Sequence, residues 1–401
     1  MQRSRFLAWA GLLLLALGVR VALLAAAAAT VAERRPELAW RDLAMLYDGR
    51  LYLLVARSFP AVYQNGGGDP VPVDYPHLTI YLPLLPAAIA TIDAAVGDLR
   101  SSAIAASLLT ACVALAGFER LARRSGLARP ILATALFAVL PPLWVLLSAL
   151  PFSDSVLLAA AILAFVAFAE DRHALAALAA GAAAVAQKSG FLVALALVVA
   201  LLRNEGPASW RKVAVYALAA LPPLALQLYL GRVFGDPLIN VRSTLEVYGS
   251  SPFALPGSMV IEGLFRFPGL DGGDPWMDRV AVLAALVFYV GALWVSRRDA
   301  RPEARSLRIW LVVVLAFNAV LGGNWAYYNF PRLMILAAPA ALLLWLRRFE
   351  SRITNATAAG LVAASVAFSL WYGLASVGAS LRVLEQAGVA DGLGKLRDLF
   401  F

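Results

Sequence analysis

The chain has 401 residues, of which 62% are hydrophobic and only 15% charged, and Lys and Arg outnumber Asp and Glu by 34 to 25, giving a net charge of +9. Average soluble domains carry roughly a quarter charged residues, so this composition excludes an ordinary soluble globular protein and points to an all-α polytopic membrane protein. The single Cys112 excludes a disulfide framework.

A spanning helix needs about 20 mostly apolar residues. Apolar runs set against turn signals predict eleven spans, near 6–31, 100–120, 130–149, 153–169, 174–188, 189–203, 213–231, 278–296, 307–323, 331–346 and 353–376. The first, within MQRSRFLAWAGLLLLALGVRVALLAAAAATVA, has the charged start and apolar stretch of a signal peptide, but its length and Arg20 within it favour a retained helix. Arg20 lies about 21 Å along that helix from Phe6, at about 1.5 Å per residue. There it is either a functional intramembrane cation or one that reaches up to the interface.

Between the first two spans lies a loop of 68 residues, 32–99, longer than structureless connections usually run. Its LAMLYDGRLYLLVARSF stretch places Leu43, Leu46, Leu51, Leu54 and Val55 at helical spacing, with Asp48, Arg50 and Arg57 elsewhere. That pattern predicts an amphipathic helix lying on a membrane. QNGGGDPVPVDYP reads as a turn-rich linker. The following stretch, 78–97, is apolar enough to span, but Pro83 and Pro86 and the terminal Asp93 and Asp98 predict an interfacial or re-entrant segment.

Charge distribution tests the layout independently. With the N-terminus inside, the cytoplasmic joints are ERLARRSGLARP, EDRH, RNEGPASWRK, RRDARPEARSLR and LRRFESR, nearly all strongly basic. The acidic residues gather on the other side, in 32–99, in a second large extracytoplasmic loop, 232–277, and in an amphipathic tail, 377–401. The net charge is therefore a topology signal rather than a nucleic-acid footprint. The Ala-rich, Arg-over-Lys composition and short loops lean toward a bacterial plasma membrane, with the polar mass of this single integral domain outside.

Taken together, the first helix, the large outer loop with Tyr47-Asp48-Gly49, the Pro- and Tyr-rich juxtamembrane segment DYPHLTIYLPLLP and the many later helices resemble the GT-C superfamily of membrane glycosyltransferases. SALPFSDSVLLAAAILAFVAFAEDRHALAALAAGAAAVAQKSGFLV (148–193), FGDPL (234–238) and YYNFPRLMILAAPAALLLW (327–345) resemble stretches of PIG-V-type mannosyltransferases and their bacterial relatives. Tyr47 stands where the usual aromatic is Trp, Asp154 where Glu is common, and QKSG where Arg is expected, which leaves the subfamily and the sugar open.

The resemblance implies transfer of a hexose, mannose-like in the closest subfamily, from a polyprenyl-phosphate donor to a hydroxyl acceptor on a glycan, lipid or protein. Such a displacement inverts the anomeric centre and needs a carboxylate base for the attacking hydroxyl and cations for the departing phosphate. By the motif, Asp48 is the base and Asp154 a second catalytic acid; Asp42 is a helix-start residue. Arg332 matches the late Arg that meets the donor phosphate. Lys188, with Asp154 a candidate partner, and Arg57 are further phosphate candidates, and Arg50, Tyr52, Tyr75 and His77 are candidates for substrate binding. Several have a plainer reading: Asp48 pairing Arg50 or Arg41, Asp154 a capping or first-turn acid where Ser153 or Ser155 caps a helix, Arg332 reaching to head groups, Arg57 in a surface ion pair, and His77 capping the interfacial segment.

No cofactor is implied. No phosphate-binding loop occurs, and NGGGDP lacks the strand-then-helix context of one. A divalent metal would have only His77, with Asp74, and His173, on opposite faces of the predicted layout. A transporter or lipid flippase, with the outer loop as a gate, is the reading from a different class. Against it, no internal repeat is visible, and the candidate charges cluster at the outer interface rather than the midplane. A purely structural subunit is a third.

Overall fold

The computed structural model describes residues 2–34, 39–57, 79–248, 255–257, 261, 275–321 and 330–386. Among them there is no β-sheet, only a succession of helices. Helix α1 (Gln2–Arg34) is followed by a short 3-10 helix (Trp40–Met45) that turns into α2 (Gly49–Arg57). Next come α3 (Leu84–Val96), α4 (Leu99–Arg124), α5 (Pro130–Val139) and α6 (Pro142–Ala149). The middle of the bundle is α7 (Ser153–Ala169), α8 (His173–Ala186) and α9 (Phe191–Glu205). Short α10 (Trp210–Val215) runs through a 3-10 segment into α11 (Leu221–Phe234), then α12 (Ile239–Tyr248). The chain closes with α13 (Pro275–Ser296), α14 (Pro302–Val320), α15 (Ala338–Phe349) and α16 (Asn355–Gln386).

Six helical stretches are long and apolar enough to cross a membrane, and a seventh if the bent pair α5 and α6 is taken as one. Length and composition thus select six or seven of the eleven spans expected. Helices stand at 153–169, 174–188 and 189–203 as predicted, but α7, α8 and α9 have only 17, 14 and 15 residues. At about 1.5 Å per residue they measure between about 21 and 26 Å, against about 30 Å of hydrocarbon. Helix α14 has 19 residues, with Glu303, Arg305 and Arg308 near its start. The tail expected from 377 begins as a continuation of α16 to Gln386, and its remainder lies outside the described residues. In the 78–97 segment Pro83 precedes α3 and Pro86 sits in its first turn, where proline starts a helix rather than breaking one. The 13 residues of α3 span only about 20 Å.

At the centre, α7 packs along both α4 and α8. Ala161 and Ala164 on α7, and Ala176, Ala177, Ala180 and Ala183 on α8, are fully buried, and side chains this small let the backbones approach closely. Aromatic stacking joins the layers: Phe165 lies 4.0 Å from Trp310, centroid to centroid, and Phe137 stacks between Phe118 and Trp144.

The 130–149 stretch, expected as one span, is instead broken and bent by 71° at Leu140-Pro141-Pro142. Consecutive prolines remove two backbone donors, so carbonyls ahead of the break lose helical partners, and inside an apolar bundle each unpaired one costs several kcal/mol. Arg20 supplies the remedy. Its Nη1 donates to the carbonyl of Ala138 at 3.1 Å and of Ala16 at 2.9 Å, and its Nε donates to Ser148 Oγ at 2.7 Å. Ser369 Oγ donates to the Val139 carbonyl at 2.6 Å, and the Arg20 guanidinium rests over Trp144, 5.3 Å from the ring centroid. Arg20 therefore neither reaches up to the interface nor sits free; it joins α1 to both halves of the broken helix. Replacing it with Leu leaves these acceptors unmatched, and should cost about 1–3 kcal/mol for each one stranded, seen as a lower unfolding midpoint in detergent.

Charges collect at the two ends of α4. At its start Arg100 forms a buried ion pair with Asp42 of the 3-10 helix, and Asp42 Oδ2 also accepts the Ala39 N–H at 2.7 Å. This is the helix-start role expected of Asp42. At its other end Arg120 holds Glu170 through two bonds of 2.6 and 2.8 Å, and Arg123 pairs Glu119. Arg100 and Arg120 are about 30 Å apart along the axis, one hydrocarbon thickness. In the turn after α13, Asp299 takes Arg301 and the nearly buried Arg347. The hydrogen bond from Arg301 and the charge of Arg347 outweigh burial and hold its carboxyl well below the usual carboxylate range. Because the folded-state value is depressed, the stabilisation is present in full above the ordinary aspartate value and is lost as the pH falls through it and below. Thermal midpoints should therefore fall on acidification, and Asp299→Asn should lower the midpoint at pH 7 while making it less sensitive to acid.

Candidate active site

Three separated stretches meet at the Arg100 end of the bundle. The first is the turn between the 3-10 helix and α2. Leu43 and Met45 are buried, and the chain reverses through Leu46 N–H to the Leu43 carbonyl at 3.1 Å and Gly49 N–H to the Leu46 carbonyl at 3.0 Å. Tyr47 has φ of 54°, a left-handed conformation that costs a non-glycine residue energy and is kept where the surroundings dictate it. Asp48 then opens α2, its carbonyl accepting the N–H groups of Leu51 and Tyr52 at 2.9 and 3.2 Å. Gly49 is required: a Cβ there would lie 2.1 Å from the Ala44 carbonyl oxygen and 2.9 Å from Pro151 Cγ. The stretch expected as one amphipathic helix is thus two pieces, and the break presents Asp48.

The second stretch is Pro151-Phe152-Ser153-Asp154-Ser155, leading into α7. Pro151 closes on Gly49. Ser153 Oγ accepts the Tyr52 hydroxyl at 2.7 Å, and Ser155 Oγ bonds to the Phe152 carbonyl at 3.2 Å while accepting Thr110 Oγ1 at 2.9 Å. Asp154 falls in the first turn of α7, where the helix dipole favours an anion.

The third is the entry to the helix before α15. Phe330 and Met334 are buried, and Arg332 between them turns to the other two stretches. Its Nη1 lies 3.1 Å from Asp48 Oδ2, while Nε and Nη2 lie 3.2 and 3.1 Å from Asp154 Oδ2. The guanidinium also lies over Phe152, 4.9 Å from the ring centroid. The Asp154 side chain is 1% exposed, that of Arg332 21% and that of Asp48 36%, so the cluster runs from the interior to an open edge. Two carboxylates and one guanidinium, 284 residues apart at the extremes, can accept a proton at the exposed acid and bind an anion at the cation.

The other candidates fall elsewhere. Lys188, in the turn after α8, bonds Thr244 Oγ1 and the Asn240 carbonyl of α12, at 3.3 Å for the latter, and forms no ion pair with Asp154. Asp154 is already claimed by Arg332, and α12 offers Lys188 two oxygens. Tyr52 is buried, with its hydroxyl committed to Ser153 and its ring edge-on to Tyr81 at 5.0 Å. It fastens α2 to α7 instead of facing a substrate, and burial, with Asp48 nearby, raises its hydroxyl pKa. Arg50 is half-buried beside Asp48, and Arg57 is exposed at the far end of α2, about 13 Å along the axis. Tyr75 and His77, with Asp74, lie outside the described residues. In FGDPL, Gly235 takes φ of 70° to end α11, and Asp236 caps the Leu238 N–H at 3.0 Å and pairs Arg242 at 3.2 Å, which makes that motif a helix-to-helix turn.

Phe152 was not singled out from the sequence, and its signal was its place two residues before a motif acid; Ser153 was considered only as a helix cap and Gly49 only as part of the Tyr47-Asp48-Gly49 motif. Among the described residues one group of metal-ligating type occurs, Asp171, His173 and Glu205. It includes His173, one of the two histidines considered above, but its acids are exposed and Glu205 already holds Lys212 through both oxygens at 2.7 Å.

No protein-family model matches the chain, and no curated protein matches it. Among solved structures it is similar to the crystal structure of the Archaeoglobus fulgidus oligosaccharyltransferase in the apo form, with 16% identity and a TM-score of 0.48 over 91% of this chain. The chain spans 56% of that protein's length.

The packing at Gly49 gives a direct test of the turn. Gly49→Ala should destabilise by about 1–3 kcal/mol. By contrast, Gly11→Ala, where a Cβ meets nothing within 4 Å, should be neutral or raise the midpoint by the helix preference of Ala over Gly.

Proposed function

We propose that the protein is a membrane glycosyltransferase of GT-C type. It would transfer a hexose, mannose-like by the PIG-V resemblance, from a polyprenyl-phosphate donor to a hydroxyl acceptor at the extracytoplasmic face. The observation that carries the reading is the Arg332 guanidinium held between Asp48 and Asp154 at one polar end of an apolar bundle. These are the residues the motif resemblance assigns to base, second acid and phosphate ligand. An isoprenoid donor needs its chain in hydrocarbon and its phosphate at the interface, and on this reading Arg332, 21% exposed at one polar end of the bundle, is the cation that meets it. On this reading the chain spans the bilayer eleven times, with short α7, α8 and α9 crossing inside the bundle, and lies in a bacterial plasma membrane with its N-terminus cytoplasmic.

The chemistry follows from the three groups. The acceptor hydroxyl gives its proton to the Asp48 carboxylate as its oxygen attacks the anomeric carbon. The bond from that carbon to the phosphate oxygen breaks, its electron pair leaves with the polyprenyl phosphate, and Arg332 takes up the charge. Attack opposite the leaving group inverts the centre. Asp48 is the more exposed of the two acids.

The test is transfer of labelled sugar from a panel of polyprenyl-phosphate sugars by purified protein in lipid. Wild type should transfer from at least one donor, and Asp48→Asn should reduce that at least about hundredfold with an unchanged unfolding midpoint. No transfer from any donor, with substrate-dependent flux in liposomes, would replace this reading with the transporter.

A further inference from the structure

We infer that Arg332 exchanges partners: Asp154 is its permanent counter-ion, and Asp48 is a temporary one that the donor's phosphate displaces, so that donor binding itself frees the base. This rests on the glycosyltransferase reading above and concerns how that site is switched on.

The geometry is asymmetric. Asp154 takes two donors, Nε and Nη2, on one oxygen, with its side chain only 1% exposed and in the first turn of α7. Phe152, two residues before it, backs the guanidinium. Removing Asp154 would strand a desolvated charge, and such pairs resist exchange. Asp48 takes a single donor, Nη1 at 3.1 Å, and its side chain is 36% exposed. A single bond to so exposed a carboxylate is weak, because water can take its place at Asp48. A phosphate oxygen can therefore replace Asp48 at Nη1 while Asp154 keeps the guanidinium in place. The step breaks no covalent bond: one anion leaves the guanidinium as another arrives.

Two consequences follow. While Asp48 is paired to Arg332 its Oδ2 is engaged with a cation and poorly placed to take a proton; with phosphate bound it is released beside the sugar. Donor should therefore bind before acceptor. Asp154, in turn, is a positioning residue that orients Arg332 and does not touch the acceptor.

The two acids should act on phosphate binding with opposite signs, which simple charge repulsion does not predict. The experiment measures binding of a twenty-carbon prenyl phosphate, and of the prenol of equal length, to the purified full chain in detergent. Wild type should bind the phosphate in preference to the prenol. Asp48→Asn should bind it roughly three- to tenfold tighter, having lost the competitor for Nη1, and Asp154→Asn at least about tenfold weaker, having lost the group that orients Arg332. The gain from Asp48→Asn should fall below about twofold in an Arg332→Gln background. An Asp48→Asn protein that binds the phosphate no tighter than wild type overturns the exchange, and so does tighter binding by Asp154→Asn. Because Asp48 sits at a half-exposed turn, its variant can be read even where Asp154→Asn does not fold, and loss of its gain in the Arg332→Gln background separates exchange from simple charge removal. Equal wild-type binding of phosphate and prenol would instead overturn the glycosyltransferase reading itself.

Discussion

A guanidinium between two carboxylates holds one polar end of this bundle together. Arg332 comes from the last third of the chain, Asp154 from the start of a central helix and Asp48 from the first loop. Two of the three, Arg332 and Asp154, are not stable alone where they stand. Arg332 and Asp154 are mostly withdrawn from water, and a charge so placed needs a partner of opposite sign and good hydrogen-bond geometry. The ion pairs therefore define the assembled state. The 3-10 turn, the entry to α7 and the helix at Phe330 must arrive together, and neighbouring contacts serve that meeting: Gly49 against Pro151, Tyr52 on Ser153, Asp42 on Arg100.

The same requirement explains the break between α5 and α6. In water the carbonyls freed at Leu140-Pro141-Pro142 would be hydrated; in this bundle Arg20 and Ser369 reach them. Arg20 is thus the counterpart of Arg332, a buried cation whose partners are backbone carbonyls and a serine instead of acids. Among the described residues no carboxylate pairs with it, and its task is packing. The contrast shows why a cation in an apolar run is a poor guide to function until its acceptors are known.

That limit marks what could be read from the sequence. Helical class and most helix positions were legible, because apolar runs and basic joints depend on composition over many residues and average out local ambiguity. Asp48, Asp154 and Arg332 were legible as a set only through motif resemblance, which carries spatial information that spacing cannot. Lys188 shows the difference. It stands at the same end of α8 as Asp154 does of α7, in an adjacent antiparallel pair, and pairing was a fair expectation. Which way a side chain turns from a helix end depends on what else packs there, and α12 and Arg332 settled it. The break at 140–142 was written in two prolines but was overruled by an apolar window averaged across it. Likewise the helical period from Leu43 to Val55 concealed the strained turn at Tyr47, because a single residue of positive φ leaves hydrophobic spacing nearly intact.

Helix α4 carries ion pairs at both ends, a buried one at Arg100 and a more open one at Arg120, about 30 Å apart along the axis. The Asp48, Asp154 and Arg332 cluster belongs to the Arg100 end through the 3-10 helix, which carries Asp42 at one end and leads into Asp48 at the other. On the function proposed above, a donor bound there would have its apolar chain in hydrocarbon and its anionic head at Arg332. Arg332 holds its two acceptors through three nitrogens of one planar fork, which fixes the direction of each contact in a way that the single ammonium of a lysine does not.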